Sequence, residues 1–107
     1  MSVMLCVLLW AKPGQNDALV AYEDEVLKFV PDHSGVVLER VRSDGGGDDP
    51  LEIQLLDFPS KAHLSGFMSD SRRLSLAPHR DAAIERTEVI EVHRVSGQGY
   101  GGHVSAR

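Results

Sequence analysis

The alternation of apolar and polar residues in the middle of the chain predicts a strand that runs directly into a helix. Residues 51–58 begin with an apolar side chain at every second position, as in a β-strand. Pro59 lacks the N–H that a strand ladder needs. Ser60 is a suitable N-cap for a helix that carries Ala62, Leu64, Phe67 and Met68. The other elements are placed around this strand–helix unit.

Further apolar patterns predict three more strands and a longer helix. The nearly continuous apolar run at 3–10 is typical of a central strand covered on both faces. Apolar positions three to four apart predict an amphipathic helix over 15–30. Two alternating segments, 36–42 and 87–95, predict strands, and short helical turns are expected between residues 70 and 84.

The order strand, helix, strand, strand, helix, strand predicts a ferredoxin-like α+β sandwich with βαββαβ topology. Two helices cover one face of a four-stranded antiparallel sheet in that fold. The other face cannot be left bare, because the strand at 3–10 is apolar on both sides. Packing of two such sheets across a two-fold axis would cover it, so the pattern predicts a homodimer.

Length and charge narrow the classes of protein further. At 107 residues one domain is expected, with residues 1–95 forming it and the glycine-rich segment 96–107 forming a flexible tail. The net charge of −5 and the scattered basic residues argue against a non-specific nucleic-acid binder. The apolar start lacks a basic n-region and a small-residue cleavage site, and no run is long enough to span a membrane. A cytoplasmic protein without a membrane partner is therefore expected.

Several segments between residues 3 and 95 resemble the dimeric α+β barrel superfamily. They are the strand end Trp10-Ala11-Lys12-Pro13-Gly14, Tyr22, the stretch Leu55-Leu56-Asp57-Phe58-Pro59-Ser60, residues 68–80, and Arg86-Thr87-Glu88-Val89. The superfamily includes antibiotic-biosynthesis monooxygenases, small polyketide cyclases, stress-responsive barrel proteins and uncharacterised families. The Phe-Pro-Ser strand end is most similar to the uncharacterised branch. The resemblance implies a dimeric α+β barrel with a pocket between the helices and the sheet.

Three residues are candidates for catalysis in such a pocket. His79 and Arg80, next to Asp81, form the densest polar cluster of the chain and are the predicted base and anion holder. His63, in the first turn of the second helix, is a further candidate base, because imidazole titrates near neutral pH. The structural alternatives are helix caps or dimer contacts for the cluster and a surface position for His63.

Three other residues are candidates for substrate binding. Trp10 closes the first strand, Arg40 shares a strand face with Val36 and Leu38, and Gln54 lies on a mixed face of its strand. Arg40 would hold a carboxylate or enolate, and Gln54 would donate a hydrogen bond to a substrate oxygen. The alternatives are a core or interface position for Trp10, a salt bridge for Arg40 and a solvated strand face for Gln54.

No metal or nucleotide cofactor is predicted. The histidines and Cys6 show no short ligand spacing, and no dinucleotide fingerprint is present. Two hypotheses remain open. One is a cofactor-independent enzyme that oxygenates, cyclises or isomerises an aromatic or polyketide-like substrate, which rests on the resemblance. The other is a non-catalytic homodimeric module that binds a small hydrophobic ligand or only packs against itself.

Overall fold

The computed structural model describes residues 2–95, so the predicted tail at 96–107 lies outside the described residues. The elements are β1 (Val3–Ala11), α1 (Asn16–Val26), β2 (Val36–Arg42), β3 (Glu52–Phe58), α2 (Lys61–Met68), α3 (Ser71–Ser75), α4 (Ala77–Ala83) and β4 (Ile84–Val92). Two 3₁₀ turns, Leu27–Phe29 and Pro31–His33, connect α1 to β2. Within residues 2–95, no helix is long and apolar enough to cross a membrane.

The four strands form one antiparallel sheet in the order β2-β3-β1-β4. Because β1 and β3 lie in the centre and the helices pack on one face, the arrangement is the ferredoxin-like βαββαβ topology. The structure therefore confirms the predicted α+β fold.

The central strand β1 separates the two faces of the sheet by strict alternation. Its inward residues face the helices and are almost fully buried, whereas its outward residues are only partly covered in the single chain. The inward set is Val3, Leu5, Val7 and Leu9, and the outward set is Met4, Cys6, Leu8 and Trp10. We call the outward surface of the sheet the open face.

The ends of several elements differ from the predicted ends. The helix predicted over 15–30 ends as an α-helix at Val26, because the chain tightens into 3₁₀ turns ahead of Pro31. The last strand begins at Ile84 rather than at residue 87, because Ile84 pairs with Ala11 at the end of β1. Ser60 is the N-cap of α2, as predicted, and its hydroxyl accepts a hydrogen bond from the backbone N–H of His63.

A bulge in β2 changes which residues share a face with Arg40. Val37 pairs with Leu56, and Glu39 pairs with the adjacent residue, Leu55. The residue between them on β2, Leu38, therefore has no partner on β3. Arg40 therefore shares the helix-side face with Val37, and the predicted grouping of Arg40 with Val36 is wrong. Strict alternation fails here because the extra residue shifts the register.

A fully buried carboxylate joins β2 to β3 beneath α1. Glu52 accepts hydrogen bonds from Nε and Nη2 of Arg40 at 2.8 and 3.2 Å and from Nε of Arg42 at 2.8 Å. Arg40 also donates from Nη1 to Asp24 of α1 at 2.9 Å. Burial alone raises the pKa of Glu52, but the hydrogen bonds from the arginines and from Gln54 outweigh it and hold the pKa below its usual value.

Replacement of Glu52 by glutamine should therefore destabilise the fold at neutral pH. The free energy of unfolding should fall by about 3 kcal/mol, at the low end for a broken buried ion pair, since both arginines keep partial contact with water. Because the folded pKa is lowered, the loss should shrink as pH falls below the ordinary glutamate pKa of about 4.3. Urea titrations at neutral and acidic pH would measure both effects.

Asp24→Asn is the matched control, because Asp24 binds the same arginine from an exposed position. It should change the free energy of unfolding by less than about 1 kcal/mol. Equal effects of the two substitutions would contradict the structural role given to Glu52.

Candidate functional site

A cavity of about 390 Å³ lies between the helices and the inward face of the sheet. Every strand except β2 contributes to its walls, and so do all four helices. The apolar lining residues are Leu5, Val7, Leu9, Val26, Leu27, Leu56, Leu64, Phe67, Met68, Ile84 and Val89. This position agrees with the pocket that the resemblance implies.

Six polar side chains interrupt the apolar lining: Tyr22, Glu23, Gln54, Arg73, Arg80 and Thr87. Glu23 and Gln54 are 5% and 1% exposed and form the inner part of the wall. Arg80 is exposed and lies, like Val89, on the outer part. The lining thus combines a buried polar pair, Glu23 and Gln54, with an exposed arginine at the rim, and most of the remaining wall is apolar.

Glu23 carries the only carboxyl group among the lining residues, and it was not among the site residues predicted from the sequence. Its Oε1 accepts a hydrogen bond from Nε2 of Gln54 at 2.8 Å. Burial raises the pKa of Glu23, and the nearby charge of Glu52 raises it further, against the opposing effect of the Gln54 hydrogen bond. The carboxyl group therefore keeps its proton to a higher pH than an exposed glutamate does.

A signal for Glu23 was present in the sequence. The buried positions of α1 include Leu19, Tyr22 and Val26, and a residue four after the first and three before the last lies on the same face. Charged residues are rarely found on an inward face without a partner. The partner, Gln54, is 31 residues further along the chain and could not be identified from periodicity.

Gln54 lines the cavity, as a predicted substrate-binding residue would. Its Nε2 donates to Glu23 at 2.8 Å and to Glu52 at 2.7 Å, so both amide hydrogens are used inside the protein. Donation to a substrate oxygen stays a prediction, and it would require one of these two bonds to break. In the structure Gln54 links the buried ion pair to the wall of the cavity.

Two arginines contribute to the lining, and they differ in the contacts that their guanidinium groups make within the protein. Arg73 donates from Nη1 to the backbone oxygen of Met68 at 3.1 Å, and its guanidinium lies 5.5 Å from the ring centroid of Phe67. Arg80 has its Nη1 3.9 Å from Asp81 Oδ1, which is beyond hydrogen-bond distance. Arg80 is therefore the cation of the lining that is more available to a ligand.

The other predicted catalytic residues do not line the cavity. His79 is exposed on α4 next to Arg80, so the predicted pair is split, with only the arginine at the cavity. His63 is exposed, and its Nδ1 lies 2.7 Å from Oγ of Ser60, which caps the same helix. The structure does not bring these two histidines together, and their catalytic roles stay predictions.

Trp10 and Arg40, the remaining predicted binding residues, also lie away from the cavity. Trp10 lies on the open face, where the Arg86 guanidinium is 3.9 Å from its ring centroid. Its Nε1 donates to the backbone carbonyl oxygen of Asp48 at 2.9 Å. Arg40 is bound to carboxylates of the chain itself, as described above. Their roles in substrate binding stay predictions, and the contacts seen are structural.

Metal-binding chemistry has no visible basis in the part of the chain that the structure describes. Among residues 2–95 no group of three or more His, Cys, Asp or Glu side chains is placed to hold an ion. The arrangement at the cavity instead provides an apolar volume, a buried carboxyl group and a cation at the rim.

Comparisons with known proteins give the fold but no family. No protein-family model and no curated protein matches the chain. Solved structures do match, and three examples are a protein of unknown function from Rhodopseudomonas palustris, an uncharacterised NIPSNAP-like domain protein from Burkholderia xenovorans, and a dimeric protein of unknown function and ferredoxin-like fold from Bacteroides fragilis.

The likeness to these structures extends over most of the chain. For the Rhodopseudomonas protein the TM-score is 0.73 at 15% identity, over 90% of this chain and 84% of that chain. The values for the Burkholderia protein are 0.71 and 7%, over 89% and 86%. The values for the Bacteroides protein are 0.66 and 8%, over 87% and 96%. The chain therefore has the ferredoxin-like α+β fold of a group of structures of unknown function.

Proposed function

We propose that this protein is a homodimer that binds a small apolar, aromatic molecule in the cavity of each protomer. The observation that carries the proposal is the cavity of about 390 Å³, with an apolar lining and few polar groups. An apolar cavity of about 150 Å³ accepts benzene, so this one has room for a ring with a short side chain.

The dimer is supported by the composition of the open face. On the two outer strands, three of its apolar side chains are about half exposed in the single chain: Val36 at 52%, Val41 at 50% and Ile90 at 49%. Ile90 pairs with Cys6 of β1, and Val41 pairs with Ile53 of β3, which in turn pairs with Leu8 of β1. Apolar side chains therefore extend across the open face from one outer strand to the other. The same face of a second copy is its natural complement, and the similar Bacteroides structure is described as dimeric.

Two forms of the proposal differ in whether the bound molecule reacts. In the enzyme form, the protein promotes oxygenation, cyclisation or isomerisation without a cofactor, and Arg80 at the rim supports it. In the binding form, the dimer is a non-catalytic module. The position of His79 and His63 outside the cavity favours the binding form. Native mass spectrometry of the purified protein would report the assembly and any retained organic molecule together.

Ile90→Lys should convert the dimer into a folded monomer. Ile90 is exposed in the single chain, so a lysine there costs the monomer little, but it would bury a charge in the interface. Sedimentation velocity should give twice the 11.7 kDa chain mass for the wild type and the single mass for the variant.

Val89→Lys is the matched control for the dimer. It neighbours Ile90 on the same strand with similar exposure, but it faces the cavity side of the sheet. It should remain dimeric. A wild-type protein that sediments as a monomer at high concentration would refute the interface.

Thr87→Phe should block ligand binding, because the new ring would occupy the cavity that Thr87 lines from β4. Butyrophenone, a phenyl ketone with a short apolar chain, is a suitable probe. Its affinity, measured by ligand-observed NMR, should fall by at least about tenfold. Leu74→Phe, on the exposed surface of α3, should leave the affinity unchanged. Equal affinity in both variants would place the binding site outside the cavity.

A further inference from the structure

The two polar regions of the cavity lining differ in charge and in burial. The inner one is the carboxyl group of Glu23, which is 5% exposed, and the outer one is the guanidinium of Arg80, which is exposed. Both groups line the same cavity, so a ligand that fills the cavity lies beside both of them. The ligand of the proposed function is therefore selected by the chemistry of these two groups as well as by the size of the cavity.

Glu23 has one oxygen left for a ligand. The hydrogen bond from Gln54 goes to Oε1, and Oε2 has no protein partner among the described residues. Gln54 is itself held by Glu52, so the amide cannot turn freely to serve both oxygens. Burial raises the pKa of Glu23, which favours the neutral acid, and a neutral carboxyl group donates a hydrogen bond to a ligand oxygen.

The charges around Glu23 come from three other elements. Arg40 on β2 and Arg73 on α3 favour the ionised form, and Glu52 on β3 favours the neutral form. Arg40 is already bound to Glu52 and to Asp24, so its charge is largely compensated before it acts on Glu23. A ligand with an acceptor oxygen at Oε2 would stabilise the neutral form further.

The rim offers a partner for an anion. The guanidinium of Arg80 has five N–H donors, and its nearest carboxylate, that of Asp81, is too distant for a hydrogen bond. Guanidinium groups bind carboxylates through two parallel hydrogen bonds. An anionic group at the open end of the ligand would remain partly in water, which lowers the cost of desolvation.

The geometry points to a small aromatic keto acid as the ligand class: its ring fills the apolar volume, its ketone accepts a hydrogen bond from Glu23, and its carboxylate pairs with Arg80. This inference rests on the proposed function, since it assumes that the cavity binds a small molecule. It adds the two functional groups that an aromatic ligand must carry, and it assigns each to one residue.

Three probes separate the contributions: 4-oxo-4-phenylbutanoate, which carries ring, ketone and carboxylate; 4-phenylbutanoate, which lacks the ketone; and butyrophenone, which lacks the carboxylate. Calorimetric titration of the wild-type protein, run from about pH 5 to about pH 7, should rank the keto acid first at the acidic end, where Glu23 holds its proton more fully. Loss of the ketone should weaken binding about three- to tenfold, and loss of the carboxylate about tenfold or more.

Substitutions test which residue is responsible for the affinity gained from the ketone and which for the affinity gained from the carboxylate. In Glu23→Leu, the keto acid and 4-phenylbutanoate should bind equally, whereas Glu23→Gln should keep the ketone's advantage through its amide N–H. In Arg80→Met, the keto acid and butyrophenone should bind equally. Tyr22→Phe and Arg73→Met alter other polar groups of the lining, so they should change the affinity for all three probes alike and leave the two affinity ratios in place.

The experiment distinguishes a failure of the keto-acid inference from a failure of the proposed function. If no probe binds at millimolar concentration, the cavity is not an aromatic-ligand site and the proposed function fails with the inference. If the probes bind with equal affinity to the wild type, only the keto-acid inference fails. Loss of the ketone's advantage in Tyr22→Phe, or survival of the carboxylate's advantage in Arg80→Met, would overturn the residue assignment. The wild-type ranking decides the ligand class even if Glu23→Leu does not fold.

Discussion

The arrangement of the cavity wall depends on one buried carboxylate, that of Glu52. It is fully buried at the start of β3 and is accommodated only because Arg40 and Arg42 bring opposite charge from β2. The same carboxylate fixes the amide of Gln54, which in turn binds the carboxyl group of Glu23. A chain of direct contacts therefore runs from a strand at the edge of the sheet to the wall of the cavity.

The alternation of side chains in the sheet assigns its two faces to different tasks. Successive residues of β1 contribute in turn to the cavity side and to the open face. Ligand binding and dimer formation, as proposed, would consequently use separate sets of residues on the same strands. Trp10 illustrates the point, because its outward position excludes it from the cavity and places it with Arg86 at the open face.

Most of the fold could be predicted, because hydrophobic periodicity reports the faces of each element directly. The element order gave the correct topology, and the cap at Ser60 was recognisable from its residue type. The start of β4 at Ile84 and the bulge in β2 could not be predicted. Both depend on pairing with strands that are distant in the sequence. Periodicity within a segment carries no information about such pairing.

The candidate site was less predictable than the fold, and the difference has a physical cause. By itself the sequence determined the order of strands and helices and the apolar faces, since these follow from repeats of 2.0 and 3.6 residues. Only the tertiary structure decided that Arg80 lines the cavity while His79 does not, and that Gln54 meets Glu23. Contacts between polar groups depend on strand register, helix rotation and side-chain direction, all of which are set when separate elements pack together.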